Sequence, residues 1–457
     1  MIKKPIYLLG CLLALSWPLA AGAAVHEYRL DNGLKLLVKE DHRAPVVVSQ
    51  VWYKAGSMDE FNGTTGVAHV LEHMMFKGTA KVPAGEFSKR IAAAGGSENA
   101  FTNRDYTAYF QTLEKSKLPL AFELESDRMA HLSLADGEFA KEIKVVMEER
   151  RMRTEDNPQS KVYEQLVATA FEANPYHHPV IGWMDDLEHM TAADARAWYR
   201  RWYAPNNAVL VVVGDVDPEA VYRLAKRYFG PLKPHALPLR KPQREPRQLG
   251  TRRIDVKAPA QFPSVMLAYH APALRQPESD WQPYALEVLA AVLDGNPAAR
   301  LNRHLVREQR LASEVGADYD PLSRGPALFI VEGTPSEGKT VADLEAAIRA
   351  EIKAIQDRGI TADELARVKS QVIANQVYQQ DSVFYQAMQI GMLETIGLGY
   401  KTLDTRLAKL QQVTAEQVQE VARKYLVSDD LTVGTLDPLP LDKKKSTAAT
   451  MGGRHDF

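Results

Sequence analysis

The chain has 457 residues, 45% of them hydrophobic and 25% charged, with a formal net charge of −2 at pH 7. This balance excludes a disordered chain, and the lack of a basic excess argues against nucleic acid as a partner. The length is enough for two or three domains, each burying its own core. The first 23 residues read as a secretory signal. Lys3 and Lys4 precede an apolar run from about Pro5 to Leu19, and Ala21-Gly22-Ala23 offers a small-x-small cleavage site. The run is long enough to span a bilayer. It ends in small residues without a positive flank, so cleavage rather than a stable membrane anchor is expected. The apolar run continues past Leu8-Leu9-Gly10-Cys11, which sets a lipoprotein site aside. Cys11 is the only cysteine and leaves with the signal, so the mature chain has no disulfide and no thiol nucleophile. The expected location is the periplasm or the exterior.

Asp31-Asn32-Gly33 reads as a turn into a strand over 34–38, and Val46 to Trp52 is a second β-rich run. Helices are expected near 67–76, 85–94, 118–132 and 138–152. In the last of these Phe139, Ile143, Val146 and Met147 share one face. Asn207 to Val213 is a buried type of strand closed by Gly214-Asp215. Five prolines between Gly230 and Arg253 mark a linker whose basic residues are expected to be solvated. A weak repeat relates the two sides of this linker. Thr191 caps a helix running to Trp202-Tyr203, followed by Asn206-Asn207, a strand and Gly214-Asp215-Val216-Asp217-Pro218. Thr414 likewise caps a helix running to Lys424-Tyr425, followed by Asp429-Asp430 and a strand into Gly434-Thr435-Leu436-Asp437-Pro438. The expected class is α+β, with two homologous domains, each an antiparallel-rich sheet covered by helices on one face. The expected boundaries are 24–229 and 254–440, with the linker at 230–253 and a disordered tail at 441–457.

In His69-Val70-Leu71-Glu72-His73 the histidines are four residues apart. On a helix both imidazoles then lie on one face, a spacing suited to one zinc ion, with Glu72 beside them. Val67, Val70, Leu71, Met74, Met75 and Phe76 make this a buried helix. Gly66 before the motif, Phe76-Lys77-Gly78-Thr79 after it, and Gly95-Gly96-Ser97-Glu98-Asn99-Ala100-Phe101-Thr102 further on resemble the pitrilysin/insulinase family of inverted zinc metallopeptidases. The likeness is to its short, two-domain, processing-peptidase-like members.

The resemblance implies a secreted zinc-dependent endopeptidase acting on peptides or unfolded polypeptide segments. It implies one zinc per chain on His69, His73 and Glu149, with Glu72 as general base. Glu142, two turns before Glu149, becomes the carboxylate that orients the ligands. Glu148 is the rival ligand but points about 100° away, and Arg150, Arg151 and Arg153 read as a solvated charged face. Gly96 to Thr102 resembles a substrate-binding edge strand on which Asn99 and Ala100 face the peptide. The family also supplies an arginine and a tyrosine from its second half. Arg307 fits the arginine, whereas Ser313 falls where the tyrosine belongs, and Tyr319 is a possible substitute at the wrong spacing. The expected assembly is therefore a heterodimer with a paralogous subunit supplying an Arg/Tyr pair, a homodimer being the competing arrangement. The other reading of the chain is a non-catalytic or partner-dependent subunit.

Overall fold

A computed structural model describes residues 24–441; the expected signal segment with Cys11, and residues 442–457 of the expected tail, lie outside the described residues. The chain forms two sheets. The first contains β1 (Val25–Arg29), β2 (Lys35–Glu40), β3 (Val46–Tyr53), β4 (Ser97–Thr102), β5 (Thr107–Glu114) and β6 (Ala208–Gly214), in the order β1-β2-β6-β3-β5-β4. The second contains β7 (Arg252–Pro259), β8 (Ser264–Ala271), β9 (Ala312–Tyr319), β10 (Ala327–Pro335) and β11 (Leu431–Leu439), in the order β7-β11-β8-β10-β9. Removing β1 leaves two sheets of identical topology. In each, one parallel pair (β2 with β6, β7 with β11) joins an otherwise antiparallel set. The weak sequence repeat is thus the trace of a repeated α+β unit.

The first half carries α1 (Val67–Met74), α2 (Glu86–Ala93), α3 (Leu118–His131), α4 (Asp136–Arg150), α5 (Pro158–Ala170), α6 (Met184–His189), α7 (Ala192–Trp202) and α8 (Pro218–Tyr228). The second carries α9 (Gln282–Asp294), α10 (Val341–Arg358), α11 (Ala362–Gln379), α12 (Val383–Thr395), α13 (Thr402–Gln412) and α14 (Ala415–Tyr425). Thr191 and Thr414 cap α7 and α14 through reciprocal bonds with Asp194 and Gln417. Alternation along the strands sorts the side chains. Leu36, Val38, Val51 and Leu210 face the helices of their own half, in one core with Val70, Leu71, Phe122 and Trp198. The second sheet does the same with Leu267, Phe329, Val331 and Val433 against α9, α10 and α14.

The opposite faces are also apolar, and each is covered by a helix from the other half. Ala387 and Ile390 of α12 lie on Leu37, Val48, Trp52, Val209 and Val211 of the first sheet. Val162 and Leu166 of α5 lie on Val256, Met266, Ala268 and Leu436 of the second. Gly391 permits the first contact, since a Cβ there would stand 2.2 Å from the Trp52 ring.

The segment between the halves has almost no regular structure but is pinned. The Glu245 carboxylate accepts the N–H groups of Glu172, Ala173 and Asn174 at 2.6–3.0 Å. The basic residues from Lys233 to Arg247 are exposed, apart from the half-buried His235, and one of them is also anchored. Arg240 pairs with Asp59 at 2.5 Å and stacks over Trp202, an arrangement that uses both the charge and the flat face of a guanidinium.

Candidate metal centre

The centre is built on α1. Gly66 starts the helix at φ 87°, a conformation that favours glycine, and a Cβ there would meet the Ile181 carbonyl oxygen at 2.5 Å. The buried Glu60 carboxylate accepts the N–H groups of Gly66 and Ala68, each at 2.8 Å, holding the first turn. Burial raises its pKa to about 8, against the pull of those two bonds. Val67, Val70, Leu71 and Met74 are buried beneath α4, α7 and the sheet. The remaining face presents His69 and His73, whose rings are 4.8 Å apart.

Glu149, near the end of α4, completes a cluster of three donor atoms that all lie within 4.8 Å of one another. Its Oε2 is 3.3 Å from His73 Nε2 and 3.9 Å from His69 Nε2. Adjacent donors around a tetrahedral zinc, bound at ~2.0–2.2 Å, stand roughly 3.3–3.6 Å apart. The Glu149–His73 separation falls in that range and the Glu149–His69 separation is slightly wider; the donor set itself, two imidazole nitrogens and one carboxylate oxygen, suits that ion. Glu142 Oε1 holds His73 Nδ1 at 3.0 Å, which turns Nε2 toward Glu149, and Lys77 Nζ holds the other Glu142 oxygen at 2.5 Å.

The charge states follow from contacts. Burial, helped by the neighbouring His73, lowers the His69 pKa to about 4 and keeps it a neutral nitrogen donor. Burial works against charge on His73, but its bonds to Glu142 and Glu149 raise its pKa to about 9. Glu142 and Glu149 are both held below the ordinary carboxylate value. Burial opposes this and is outweighed, for Glu142 by His73 and Lys77, and for Glu149 by His73, His69 and Arg153. Glu72 is the exception. Burial raises its pKa to about 6, while a hydrogen bond from the Thr102 hydroxyl works the other way.

The centre opens into a cavity of about 1070 Å³ lined wholly by the first half, including His69, Glu72, His73, Glu149 and residues 98–102. Asn99 and Ala100 both line it. They lie on β4, which is paired only with β5 and forms one edge of the sheet. The Asn99 side chain accepts the Ala100 N–H at 2.9 Å. Arg307 stands apart, exposed on a widened helical turn, Asn302–Glu308, of the second half. Tyr319 cannot substitute for a chamber tyrosine. It is 6% exposed in the second core, stacked on Phe329, with its hydroxyl donating to the Pro272 carbonyl. Ser313 donates to the Thr334 carbonyl at 3.2 Å.

Glu148 is exposed and pairs with Arg151 at 3.0 Å, so it does not join the histidines. One reading of the 148–153 segment is corrected. Arg150 is not on a solvated face. It is 5% exposed and grips Glu164 through two bonds of 2.8 and 2.9 Å. Arg153 is exposed, as expected, and also pairs with Glu149 at 3.0 Å. Thr102 was the accessible omission. It shares a face with Ala100 by the two-residue period of a strand, and that face points at α1.

Residues 35–183 match the family described as Insulinase (Peptidase family M16), and residues 189–372 match the Peptidase M16 inactive domain. The chain is 36% identical over 346 residues to the Zinc protease PqqE of Helicobacter pylori, covering 74% of this chain and 76% of that protein. The crystal structure of a protease from Helicobacter pylori superposes with a TM-score of 0.86 at 30% identity, over 91% of this chain and 100% of that one. The periplasmic protease PqqL from Escherichia coli shares the fold, with a TM-score of 0.78 at 20% identity. There the match covers 95% of this chain but 51% of PqqL.

Proposed function

The chain belongs to the insulinase family (peptidase family M16), and from that premise we propose that it is a secreted zinc-dependent endopeptidase for peptides or unfolded segments. The observation that carries this reading is the convergence of His69, His73 and Glu149 beside an independently held Glu72. Zinc, when bound to those three residues, supplies a Lewis acid and an acidified water. Glu72 takes the proton of the attacking water and returns it to the departing amine. Burial pushes its pKa above that of a free carboxylate, the direction that a general base working near neutral pH needs. Thr102 fixes one Glu72 oxygen and leaves the other free for this task. The β4 edge, with Asn99 and Ala100, receives the substrate as an added strand, so backbone bonds give affinity with little dependence on sequence. The expected site of action is the periplasm or the exterior, and no helix among the described residues is long and apolar enough to cross a membrane.

A second reading, dependence on a partner, is favoured by one observation: the cavity has no wall from the second half. A second wall would position the peptide and add donors for the developing oxyanion. We therefore propose that Arg307 serves in an assembly, and that a paralogous subunit supplies the tyrosine missing at Ser313. A homodimer is the alternative. The test is turnover of a quenched peptide library by the pure, zinc-loaded chain, with and without a candidate paralogue. Full turnover by the pure chain, unchanged by the paralogue, overturns partner dependence. No turnover under any condition, with zinc bound, leaves the non-catalytic reading.

A further inference from the structure

The cavity wall carries a charge that the hydrolytic chemistry does not use. Glu164 is neutralised by Arg150, and Arg153 is paired with Glu149. Arg104 has no such partner. It lies two residues beyond Thr102, just past the end of β4, and lines the same cavity. Its guanidinium sits 5.4 Å from the centre of the Tyr176 ring, and Nη2 donates to the Tyr163 hydroxyl at 3.1 Å. Its Nε is buried without a hydrogen-bond partner. Among the described residues no carboxylate lies within ion-pair distance of it.

The adjacent Asp105 is not its counter-ion. That buried carboxylate accepts the Tyr176 hydroxyl at 2.6 Å and the Arg324 N–H at 3.0 Å. The Tyr176 oxygen in turn accepts the Gly325 N–H at 2.8 Å, so the platform beneath Arg104 is tied to both halves. A guanidinium held this way has already lost much of its side-chain freedom. It presents N–H donors and a positive charge that only an anion can satisfy well. The Asn103 N–H donates to the Tyr106 carbonyl at 2.8 Å where β4 turns back into β5, so Arg104 sits at the turn that ends the β4 edge, next to Thr102 and its Glu72 partner.

We propose that Arg104 anchors a carboxylate-binding subsite at the end of the β4 edge, selecting peptides that carry an acidic group at one fixed position relative to the cleaved bond. This rests on the peptidase reading above. The carboxylate could belong to an acidic side chain or to the peptide's C-terminus, and the test separates the two.

The test uses the full chain with Glu72→Gln, loaded with zinc, and fluorescent decapeptides matched except for Glu or Gln at scanned positions. Each peptide is prepared with a free and an amidated C-terminus. The expected result is at least about tenfold tighter binding of one Glu peptide, retained on amidation if a side chain is recognised and lost if the terminus is. Adding Arg104→Met should abolish that preference while leaving the Gln peptide's affinity unchanged, and Arg104→Lys should restore part of it. A preference that persists in Arg104→Met overturns the proposal, as does equal binding of the Glu and Gln peptides. A general loss of binding in Arg104→Met, for Gln and Glu peptides alike, assigns Arg104 a structural role instead. Cleavage by the chain without Glu72→Gln separates the two readings. Cleavage that ignores acidic residues overturns the subsite alone, whereas no cleavage of any peptide by the zinc-loaded chain, with or without the candidate paralogue, overturns the peptidase reading.

Discussion

Glu142 is not itself a proposed zinc ligand and yet should set the affinity for zinc. One oxygen holds His73 Nδ1 at 3.0 Å and the other holds Lys77 at 2.5 Å. Replacing it by alanine removes the bond that orients the imidazole and the negative charge that makes Nε2 a better donor. Loss of such an outer partner costs ~10–100-fold in metal affinity, or roughly 1.4–2.7 kcal/mol. Glu142→Ala belongs at the upper end, because it also leaves the half-buried Lys77 ammonium without its acceptor. Glu142→Gln keeps an acceptor oxygen for Nδ1 and loses only the charge, so it belongs near tenfold. The helix should survive both changes, since Phe139 and Val146 remain buried beneath it. Competition with a chromophoric chelator gives the zinc affinity, and a melting curve confirms the fold. Glu148→Ala is the control; it breaks only an exposed pair with Arg151 and should bind zinc unchanged. An unaltered zinc affinity in folded Glu142→Ala would refute the assignment of Glu142 as the orienting group.

Glu72→Gln should retain zinc and lose peptide hydrolysis by at least ~10²-fold, the scale of a general base; turnover equal to that of the unmodified chain would end that role. Leu166→Ala, at a fully buried position where α5 crosses the second sheet, should cost about 2–5 kcal/mol in denaturant unfolding. A loss under 1 kcal/mol would mean that the crossing contact is weak. His178 is buried with neither ring nitrogen bonded, and burial, aided by His177, lowers its pKa from 6.5 to about 4. Between those values the unfolded chain holds more protons than the folded one. The contribution to stability is therefore complete above about pH 6.5 and is lost as pH falls toward 4. His178→Phe should flatten the decline of Tm over that window, and an identical decline in both proteins would exclude His178 as its source.

The zinc helix was legible because its signal is local. Two histidines four apart in an apolar run are only moderately specific alone; Gly66, Phe76-Lys77-Gly78-Thr79 and the stretch from Gly95 to Thr102 supplied the rest, and Glu72 followed from adjacency. The repeat was legible through Thr191 and Thr414, since a cap and a strand after it are short-range features. Glu149 needed the family pattern, because nothing in α4 distinguishes it from Glu148 until the helix is docked on α1. Arg150 looked like one of several surface charges, and only docking of α5 brings Glu164 to it. The roles of α5 and α12 were hidden for a related reason. An apolar helix face says that something covers it, not which sheet. Tyr319 misled because a tyrosine near the right place carries no mark of burial in the chain itself.

The crossing of α5 and α12 bears on how the molecule comes apart. Each half lends the other the helix that closes its second sheet face. A fragment ending in the 231–251 strap would expose Val209, Val211, Trp52 and Val48 as one flat apolar surface. The complementary fragment would do the same with Met266, Ala268 and Leu436. The two halves should therefore melt in one cooperative transition rather than in sequence. A protease that nicks the strap should leave the pieces associated under native conditions. The half with the candidate metal centre is not a portable module, and the other half is part of its folding unit.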